Sequence, residues 1–302
     1  MTDLSTVVAG ISMKNPLILA SGTCGYGREM AELYDLSLLG GISIKGTTLK
    51  PFSGNKPPRI AETASGMLNS VGLQNPGIDA VLEKELPFLN KFDTAVILNI
   101  AGHKLAEYGL IAQAAEAAKG IAAIEVNISC PNVETGGMAF GVDCNTANEV
   151  IALVRRNTKL PVIAKLTPNV RDIGEIAKAC EAAGADAISL INTLLAMVVD
   201  VETRKPILAN RSGGLSGPAI KPIALQMVWQ TARAVNLPII GIGGITCATD
   251  AIEFILAGAS AFQVGTANFY NPCVAPQIID DLENWCNAHG VKHVGELVGA
   301  MK

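Results

Sequence analysis

The sequence predicts an α/β protein built as a closed (β/α)₈ barrel. Eight short apolar segments alternate along the 302 residues with eight segments of helical pattern. The apolar segments are continuous, which is typical of parallel strands that are buried on both faces. Strict alternation also allows an open doubly wound sheet, but eight units in a chain of this length favour closure into a barrel.

Each predicted strand is a short run of β-branched or aliphatic residues, and the segments between the strands have the longer pattern of helices. In chain order the predicted strands are 16–21, 41–46, 95–100, 123–129, 161–167, 187–193, 238–245 and 261–267. The predicted helices are 27–39, 77–92, 104–120, 146–158, 172–185, 221–236, 249–259 and 276–290.

Two long insertions interrupt the alternation of strands and helices without dividing the chain into domains. No linker rich in Pro, Gly and Ser and no block of charge appears, so we expect a single domain over 1–302. The additional length lies in 46–75, after the second strand, and in 194–220, after the sixth. Both stretches follow the carboxyl end of a strand, where barrels of this type build their active sites.

Composition and charge exclude several classes of protein. Hydrophobic residues make up 49% and charged residues 17%, which indicates a packed globular protein. The net charge is −4 and no stripe of Lys or Arg is present, so a small ligand is favoured over nucleic acid. The first twenty residues carry no signal-peptide or membrane pattern, and we expect a cytoplasmic protein. Seven scattered cysteines without zinc-like spacing predict neither a disulfide framework nor a structural metal site.

The predicted strands end in polar residues, although the chain is largely apolar. These residues are Ser21, Lys45, Asn99, Asn127, Lys165, Asn192, Thr193 and Thr266, with Cys130 shortly after the fourth strand. Lys45 and Lys165 are the most informative, because an ammonium group in an apolar strand is costly unless an anion or a dipole receives it. Lysines that extend to solvent at a strand end are the alternative.

Glycines end the seventh and eighth strands, in "GIGGI" at 241–245 and "VGTA" at 264–267. In (β/α)₈ barrels, backbone N–H groups at these two strand ends frequently hold a phosphate. Gly243, Gly244, Gly265 and Thr266 therefore predict the phosphate site of a ring cofactor that lies across the barrel mouth. Glycines required only for tight turns are the alternative.

Seven stretches distributed over nearly the whole chain carry a family resemblance. They are "GISIKGTTLKP", "PRIAETASGMLNSVGLQNPG", "VNISCPNVETGGMAFG", "VIAKLTPNV", "LINT", "GGLSGPAIKPIAL" and "GIGGI". The chain resembles class 1 dihydroorotate dehydrogenases, most closely the catalytic subunits of the B type. The resemblance implies an FMN-containing enzyme of pyrimidine biosynthesis that oxidises dihydroorotate to orotate.

Carried over position by position, the resemblance implies two sets of binding residues. The FMN set is Ser21, Lys45, Gly46, Asn99, Asn127, Lys165, Ile191, Gly217, Gly243, Gly244, Gly265 and Thr266. The substrate set is Lys45, Asn69, Ser70, Val71, Gly72, Leu73, Asn127, Asn192 and Thr193.

The resemblance also implies that Cys130 is the catalytic base. It would remove a proton on one face of the substrate ring while FMN takes a hydride on the other face. A thiol has an ordinary pKa of about 8.5, so activity is expected to rise with pH unless neighbouring groups lower that value. Lys165 would lie near the flavin ring, where a fixed positive charge stabilises the reduced form.

Other residues of the same regions are candidates for related roles. Cys144 competes as the reactive thiol, but no strand fixes its position. His103 follows the third strand, and its simpler interpretation is a surface residue at a helix start. Gly136 and Gly137 are candidate hinges of a loop that closes over the substrate.

The B-type resemblance implies that electrons pass to NAD⁺ through an electron-transfer subunit that carries FAD and a [2Fe-2S] cluster. It also implies a homodimer core within a heterotetramer, without membrane association. This chain has no cysteine cluster for an iron–sulfur centre and no GxGxxG after its first strand. Two other functions remain open: another FMN barrel that acts on a reduced pyrimidine, and a flavin-free phosphate-binding lyase or isomerase with Lys165 as a Schiff-base lysine.

Overall fold

A computed structural model describes residues 2–129 and 140–302 of the chain. In chain order its strands are β1 (Thr6–Val8), β2 (Ile11–Met13), β3 (Leu17–Leu19), β4 (Gly41–Ser43), β5 (Ile60–Thr63), β6 (Gly66–Asn69), β7 (Ala95–Ile100), β8 (Ala123–Asn127), β9 (Val162–Leu166), β10 (Ala187–Leu190), β11 (Leu194–Ala196), β12 (Val199–Asp200), β13 (Lys205–Pro206), β14 (Gly213–Ser216), β15 (Ile239–Ile242) and β16 (Ala259–Val264).

Eight of these strands form a closed parallel barrel, which confirms the predicted fold class. Around the barrel they follow the chain, in the order β3, β4, β7, β8, β9, β10, β15 and β16, and β16 pairs with β3 to close the circle. Each barrel strand overlaps one predicted strand. The apolar residues of these strands are almost all buried, as continuous apolar runs require.

The helices pack around the barrel. They are α1 (Arg28–Ala31), α2 (Ile78–Ala80), α3 (Leu86–Leu89), α4 (Leu105–Ala117), α5 (Cys144–Asn157), α6 (Ile173–Ala182), α7 (Lys221–Ala234), α8 (Ala248–Leu256), α9 (Ala267–Tyr270) and α10 (Val274–Ala288), with a π-helical turn, Val81–Glu85, that joins α2 to α3. None of the helices in the two described ranges is long and apolar enough to span a membrane.

The helix predicted over 27–39 is only partly present. The structure has the single turn of α1 and then a 3₁₀ turn at Leu36–Leu38. The Asp35 side chain accepts a hydrogen bond from the Ser37 N–H at 2.8 Å and caps the 3₁₀ turn. Asp35 itself has extended backbone angles, with φ −69° and ψ 117°, so the two turns do not join into one helix.

A hairpin formed by β1 and β2 closes the amino-terminal end of the barrel. Val8 and Met13 are buried and pack against inward-facing barrel residues such as Ile18, Ile97 and Ile163. The hairpin was not predicted, because its strands are only three residues long. The opposite, carboxyl end of the barrel remains available for a ligand.

The two predicted insertions meet in one antiparallel sheet over the carboxyl end. The first insertion supplies β5 and β6, the second supplies β11 and β14, and the strand order is β11, β14, β6 and β5. Gly214 pairs with Asn69, so the stretch that follows Asn69 is held beside the barrel mouth. The sheet thereby places residues of both insertions around one cavity.

Candidate active site

A cavity of about 610 Å³ opens at the carboxyl end of the barrel. Most of the residues singled out from the sequence line it. They are Ser21, Lys45, Gly46, Asn69, Val71, Gly72, Leu73, Asn99, Asn127, Lys165, Ile191, Asn192, Thr193, Gly217, Gly243, Gly244, Gly265 and Thr266. A cavity of this size lies within the usual range for cofactor and substrate sites.

Among residues 2–129 and 140–302, Ser70 is the one sequence-predicted binding residue that does not line the cavity. Ser70 lies between Asn69 and Val71, and successive side chains of an extended chain point to opposite sides. Its hydroxyl is buried and has no hydrogen-bond partner in the described part of the chain. Cys130 lies outside the described residues, as do the candidate hinges Gly136 and Gly137.

The floor of the cavity is formed by Lys165, on β9. Its side chain is 6% exposed, and its Nζ lies 3.6 Å from Oε2 of Glu125 and donates to the Ser21 hydroxyl at 3.2 Å. Glu125 is on β8 and is completely buried. The ammonium group of Lys165 is therefore compensated by a carboxylate of the protein itself.

Glu125 accepts three further hydrogen bonds from the barrel interior. Ser43 Oγ donates at 2.7 Å, Asn99 Nδ2 at 2.6 Å and Gln263 Nε2 at 2.7 Å. Burial by itself raises the pKa of the Glu125 carboxyl, but Lys165 and these three donors outweigh that effect and hold the pKa below its ordinary value. Glu125 is therefore an ionised residue at neutral pH.

Lys45 lies on another side of the cavity, beyond the end of β4, and is half-buried. Among residues 2–129 and 140–302, no carboxylate lies within 4.0 Å of its Nζ. Burial lowers the pKa of Lys45, and the positive charge of Arg59 lowers it further. The Cys24 thiol supplies no compensating anion, because burial raises its pKa to about 12. This side of the cavity is electropositive.

Asparagine amides form a third part of the wall. Asn127 Oδ1 accepts from the Ser129 N–H at 3.1 Å and from Asn192 Nδ2 at 3.3 Å. Asn192 Oδ1 accepts in turn from the Thr193 N–H at 2.7 Å. These bonds use the amide oxygens, so the wall presents the Asn127 Nδ2 group to a ligand as a donor.

A glycine corner follows β15 and faces the end of β16. Gly243 and Gly244 have φ values of 134° and 73°, which favour glycine. A Cβ at Gly243 would lie 2.7 Å from the Ala224 Cβ, and a Cβ at Gly244 would lie 2.8 Å from the Gly217 carbonyl oxygen. Side chains are thus excluded from this corner, which leaves backbone N–H groups as the donors available to an anion.

The chain matches known proteins over nearly its full length. Residues 3–285 match the family model described as dihydroorotate dehydrogenase. The chain belongs to the dihydroorotate dehydrogenase family.

Proteins named dihydroorotate dehydrogenase B (NAD(+)), catalytic subunit, are among its relatives. The protein of Geotalea uraniireducens (strain Rf4) is 55% identical over 299 residues, which are 99% of this chain and 98% of that protein. That of Desulforamulus reducens is 56% identical over 298 residues, with the same coverage, and that of Bacillus pumilus (strain SAFR-032) is 54% identical over 296 residues, which are 98% of this chain and 96% of that protein.

Membership of the dihydroorotate dehydrogenase family confirms the resemblance drawn from the sequence motifs. The geometry adds residues that sequence analysis missed. Glu125 and Gln263 are polar residues in the middle of apolar strands, and both point into the barrel interior. The cost of a charge in an apolar strand, which singled out the two lysines, applies equally to Glu125 and was a usable signal.

His103 is the other residue whose position differs from expectation. It lines the cavity and is half-buried, and its ring centroid lies 5.1 Å from that of Phe52. Its Nε2 atom is buried without a hydrogen-bond partner in the described residues. The first insertion causes the difference, because it brings Phe52 over a helix start that would otherwise be at the surface.

The thiols of the described residues lie away from the cavity wall. Cys24 is buried, and Cys144 begins α5 and is half-buried. Neither lines the cavity, and the same holds for the other cysteines within 2–129 and 140–302. The chain does reach the cavity wall at Asn127 and Ser129, directly before Cys130 in the sequence.

Proposed function

We propose that this chain is the FMN-containing catalytic subunit of an NAD-linked dihydroorotate dehydrogenase, which oxidises dihydroorotate to orotate in pyrimidine biosynthesis. The observation that carries the proposal is the arrangement of one cavity with a compensated lysine on its floor, an uncompensated lysine on its side and a glycine corner at its edge. The names of the relatives agree with this activity.

The described residues fit a flavin mononucleotide. Gly243, Gly244, Gly265 and Thr266 line the cavity, and the backbone N–H groups of this glycine corner would hold the phosphate. Asn99 Oδ1 is buried without a partner in the described part of the chain, as expected of an acceptor that awaits a ligand N–H. When bound, the flavin supplies a hydride acceptor that protein side chains lack.

The electropositive side of the cavity fits the carboxylate of dihydroorotate. Lys45 would form a charge-assisted hydrogen bond to that carboxylate, and Asn69, Val71, Gly72 and Leu73 line the same cavity. Asn127 and Asn192 would donate to the ring carbonyls. Directional bonds of this kind discriminate a pyrimidine from an apolar ring of similar size.

We assign the role of base to Cys130, although it lies outside the described residues. The assignment is supported by the family motif that contains it and by the absence of another thiol from the cavity lining of the described residues. A thiol with the ordinary pKa of about 8.5 is ionised only to a minor extent at neutral pH. Turnover should therefore rise as the pH rises through the pKa of Cys130.

The proposal includes a partner that passes electrons to NAD⁺. The word "subunit" in the names of the relatives supports a partner chain. Within the described ranges, no three His, Cys, Asp or Glu side chains group as metal ligands. Following the B-type resemblance, we place FAD and a [2Fe-2S] cluster on that partner, around a homodimer of this chain within a heterotetramer, and we expect the assembly in the cytoplasm.

The flavin-free alternative is disfavoured by the surroundings of Lys165. A Schiff-base lysine must lose its proton to become a nucleophile. The Nζ of Lys165 is instead engaged in an ion pair with the Glu125 carboxylate, whose Oε2 lies 3.6 Å away.

Anaerobic mixing tests the proposed function. The purified chain, loaded with FMN, should lose its yellow absorbance when dihydroorotate is added and recover it on admission of an oxidant. Cys130→Ala should retain FMN and the fold while bleaching slows by about a hundredfold or more. Bleaching of the variant at the wild-type rate would remove Cys130 from the role of base, and a wild-type flavin that dihydroorotate does not bleach would reject the function.

A further inference from the structure

Glu125 is a charged residue at the centre of the barrel that the proposed chemistry does not use. It is 0% exposed, and it lies two positions before Asn127 on β8. Residues two apart on a strand point to the same face, so Glu125 lies directly beneath a residue of the cavity wall. An ionised carboxylate in this place has a high desolvation cost, which requires its partners to compensate it.

Glu125 determines the orientation of the Asn99 amide. An ionised carboxylate only accepts hydrogen bonds, so Asn99 must turn its Nδ2 group toward Glu125, at 2.6 Å. The Asn99 oxygen is then directed away from the carboxylate. This oxygen is buried, has no partner in the described part of the chain, and lies 3.0 Å from where a Cβ at Gly46 would be. Because Asn99 and Gly46 both line the cavity, the amide offers an acceptor to a ligand N–H.

Glu125 also holds the Lys165 ammonium in place and reduces the net charge of the cavity floor. Lys165 Nζ lies between the Glu125 carboxylate, at 3.6 Å, and the Ser21 hydroxyl, at 3.2 Å. The pair contributes no net charge to the cavity floor. A ligand above the floor therefore experiences the dipole of the Lys165–Glu125 ion pair. The field of this dipole is much weaker than that of an isolated cation.

We propose that Glu125 is a positioning residue for the flavin, which fixes Asn99 as a hydrogen-bond acceptor, holds the Lys165 ammonium in place and neutralises the net charge of the cavity floor. This inference rests on the proposed function insofar as the ligand above the floor is a flavin. It assigns the cavity floor a defined pattern: an acceptor at Asn99, which requires a ring N–H, and a donor at Lys165, which requires a ring oxygen or nitrogen acceptor.

Glu125→Gln tests the proposal with the least change of shape. The substituted amide can donate to the Asn99 oxygen as well as accept from its Nδ2, so the Asn99 side chain is free to turn over and to present a donor to the flavin. FMN affinity of the apoprotein, measured by quenching of flavin fluorescence, should fall about tenfold, the effect of one lost hydrogen bond in a charged network. The reduction potential of the bound flavin should become more positive, because loss of the carboxylate favours the addition of electrons.

Glu116→Gln is the matched control. Glu116 lies on the outside of α4 and also accepts three hydrogen bonds, from Thr158 Oγ1 at 2.6 Å, the Lys159 N–H at 2.7 Å and the Leu160 N–H at 3.3 Å. Its removal should affect stability while FMN affinity and the flavin potential stay at their wild-type values. If Glu125→Gln behaves like this control, Glu125 has a structural role only and the proposal is overturned.

The double variant Glu125→Gln with Lys165→Met protects the test against failure to fold, because it leaves no unpaired buried charge. Lys165→Met alone should make the potential more negative, and the double variant should return it close to the wild-type value. If neither Glu125→Gln nor the double variant folds, the positioning role is rejected in favour of a structural one. All these measurements use FMN without dihydroorotate, so normal bleaching of the wild type together with an unshifted potential would reject this inference alone.

Discussion

The two lysines of the cavity differ in what compensates their charge. On the floor, Lys165 is nearly buried and has the Glu125 carboxylate as a partner within the protein. On the side, Lys45 is half-buried, has the positive charge of Arg59 nearby and has no carboxylate within 4.0 Å in the described residues. The two lysines therefore have opposite roles. The charge of Lys165 is compensated by the protein itself, whereas the charge of Lys45 can be compensated by an anionic ligand.

This difference divides the cavity into two functional parts. The compensated floor suits a neutral, flat ring with hydrogen-bonding edges, because an uncompensated cation there would bind anions in its place. The uncompensated side suits a carboxylate. Under the proposed function, the flavin would lie over Lys165 and the carboxylate of the substrate would bind at Lys45.

The largest expected effect is on stability, and it separates the two lysines. Lys165→Met leaves the buried Glu125 carboxylate without its cation and should lower the free energy of unfolding by about 3 kcal/mol. Lys45→Met removes a partly desolvated charge that has no carboxylate partner in the described residues, and it should leave stability unchanged or raise it. Denaturant unfolding of the two apoproteins measures both. Equal losses of unfolding free energy in the two variants would show that the two lysines do not differ in compensation.

The next largest effect is on ligand binding, where substitution of Lys45 should have the larger consequence. Lys45→Met should weaken orotate binding to the FMN-loaded protein by about tenfold to a hundredfold, the effect of losing a hydrogen bond to a charged group. Lys56→Met, a change at an exposed lysine of the same insertion, is the control and should bind orotate normally. Calorimetric titration measures the orotate affinity of both variants. Wild-type affinity in Lys45→Met would mean that the orotate carboxylate does not bind at Lys45.

The smallest effect is a pH dependence that sharpens the comparison. Burial lowers the pKa of Lys45, so its proton is lost at a pH below the ordinary lysine value of about 10.4. Because orotate binds the protonated form, its affinity should fall as the pH rises through that lowered pKa. Lys45→Met, titrated in parallel, accounts for the ionisation of the ligand and of other groups. If the two titration curves are parallel, Lys45 does not control the binding of the carboxylate.

The barrel was predictable from the sequence, whereas the sheet above it was not. Continuous apolar strands indicate burial on both faces, and their number in this length indicates closure. The sheet of β5, β6, β11 and β14 depends on pairing between two insertions that are far apart in the chain, as in Met67 with Ser216, and no local pattern encodes that pairing.

The sequence predicted the site residues at the strand ends but not Glu125 and Gln263, which lie below them in the barrel interior. Lys45 and Lys165 were found because charge is anomalous in apolar strands. The lysines alone did not reveal that only Lys165 has a buried partner, since Glu125 contacts it across two neighbouring strands of the closed barrel. Ser70 was included among the substrate residues by its place in a motif, and its buried hydroxyl has no hydrogen-bond partner in the described residues.

A crystal structure of the FMN-loaded protein with orotate tests the central claim most directly. We expect the orotate carboxylate within hydrogen-bond distance of Lys45 Nζ, with Lys165 still beside Glu125 and facing the flavin. An orotate carboxylate bound to Lys165, with Lys45 left without an anion, would contradict it.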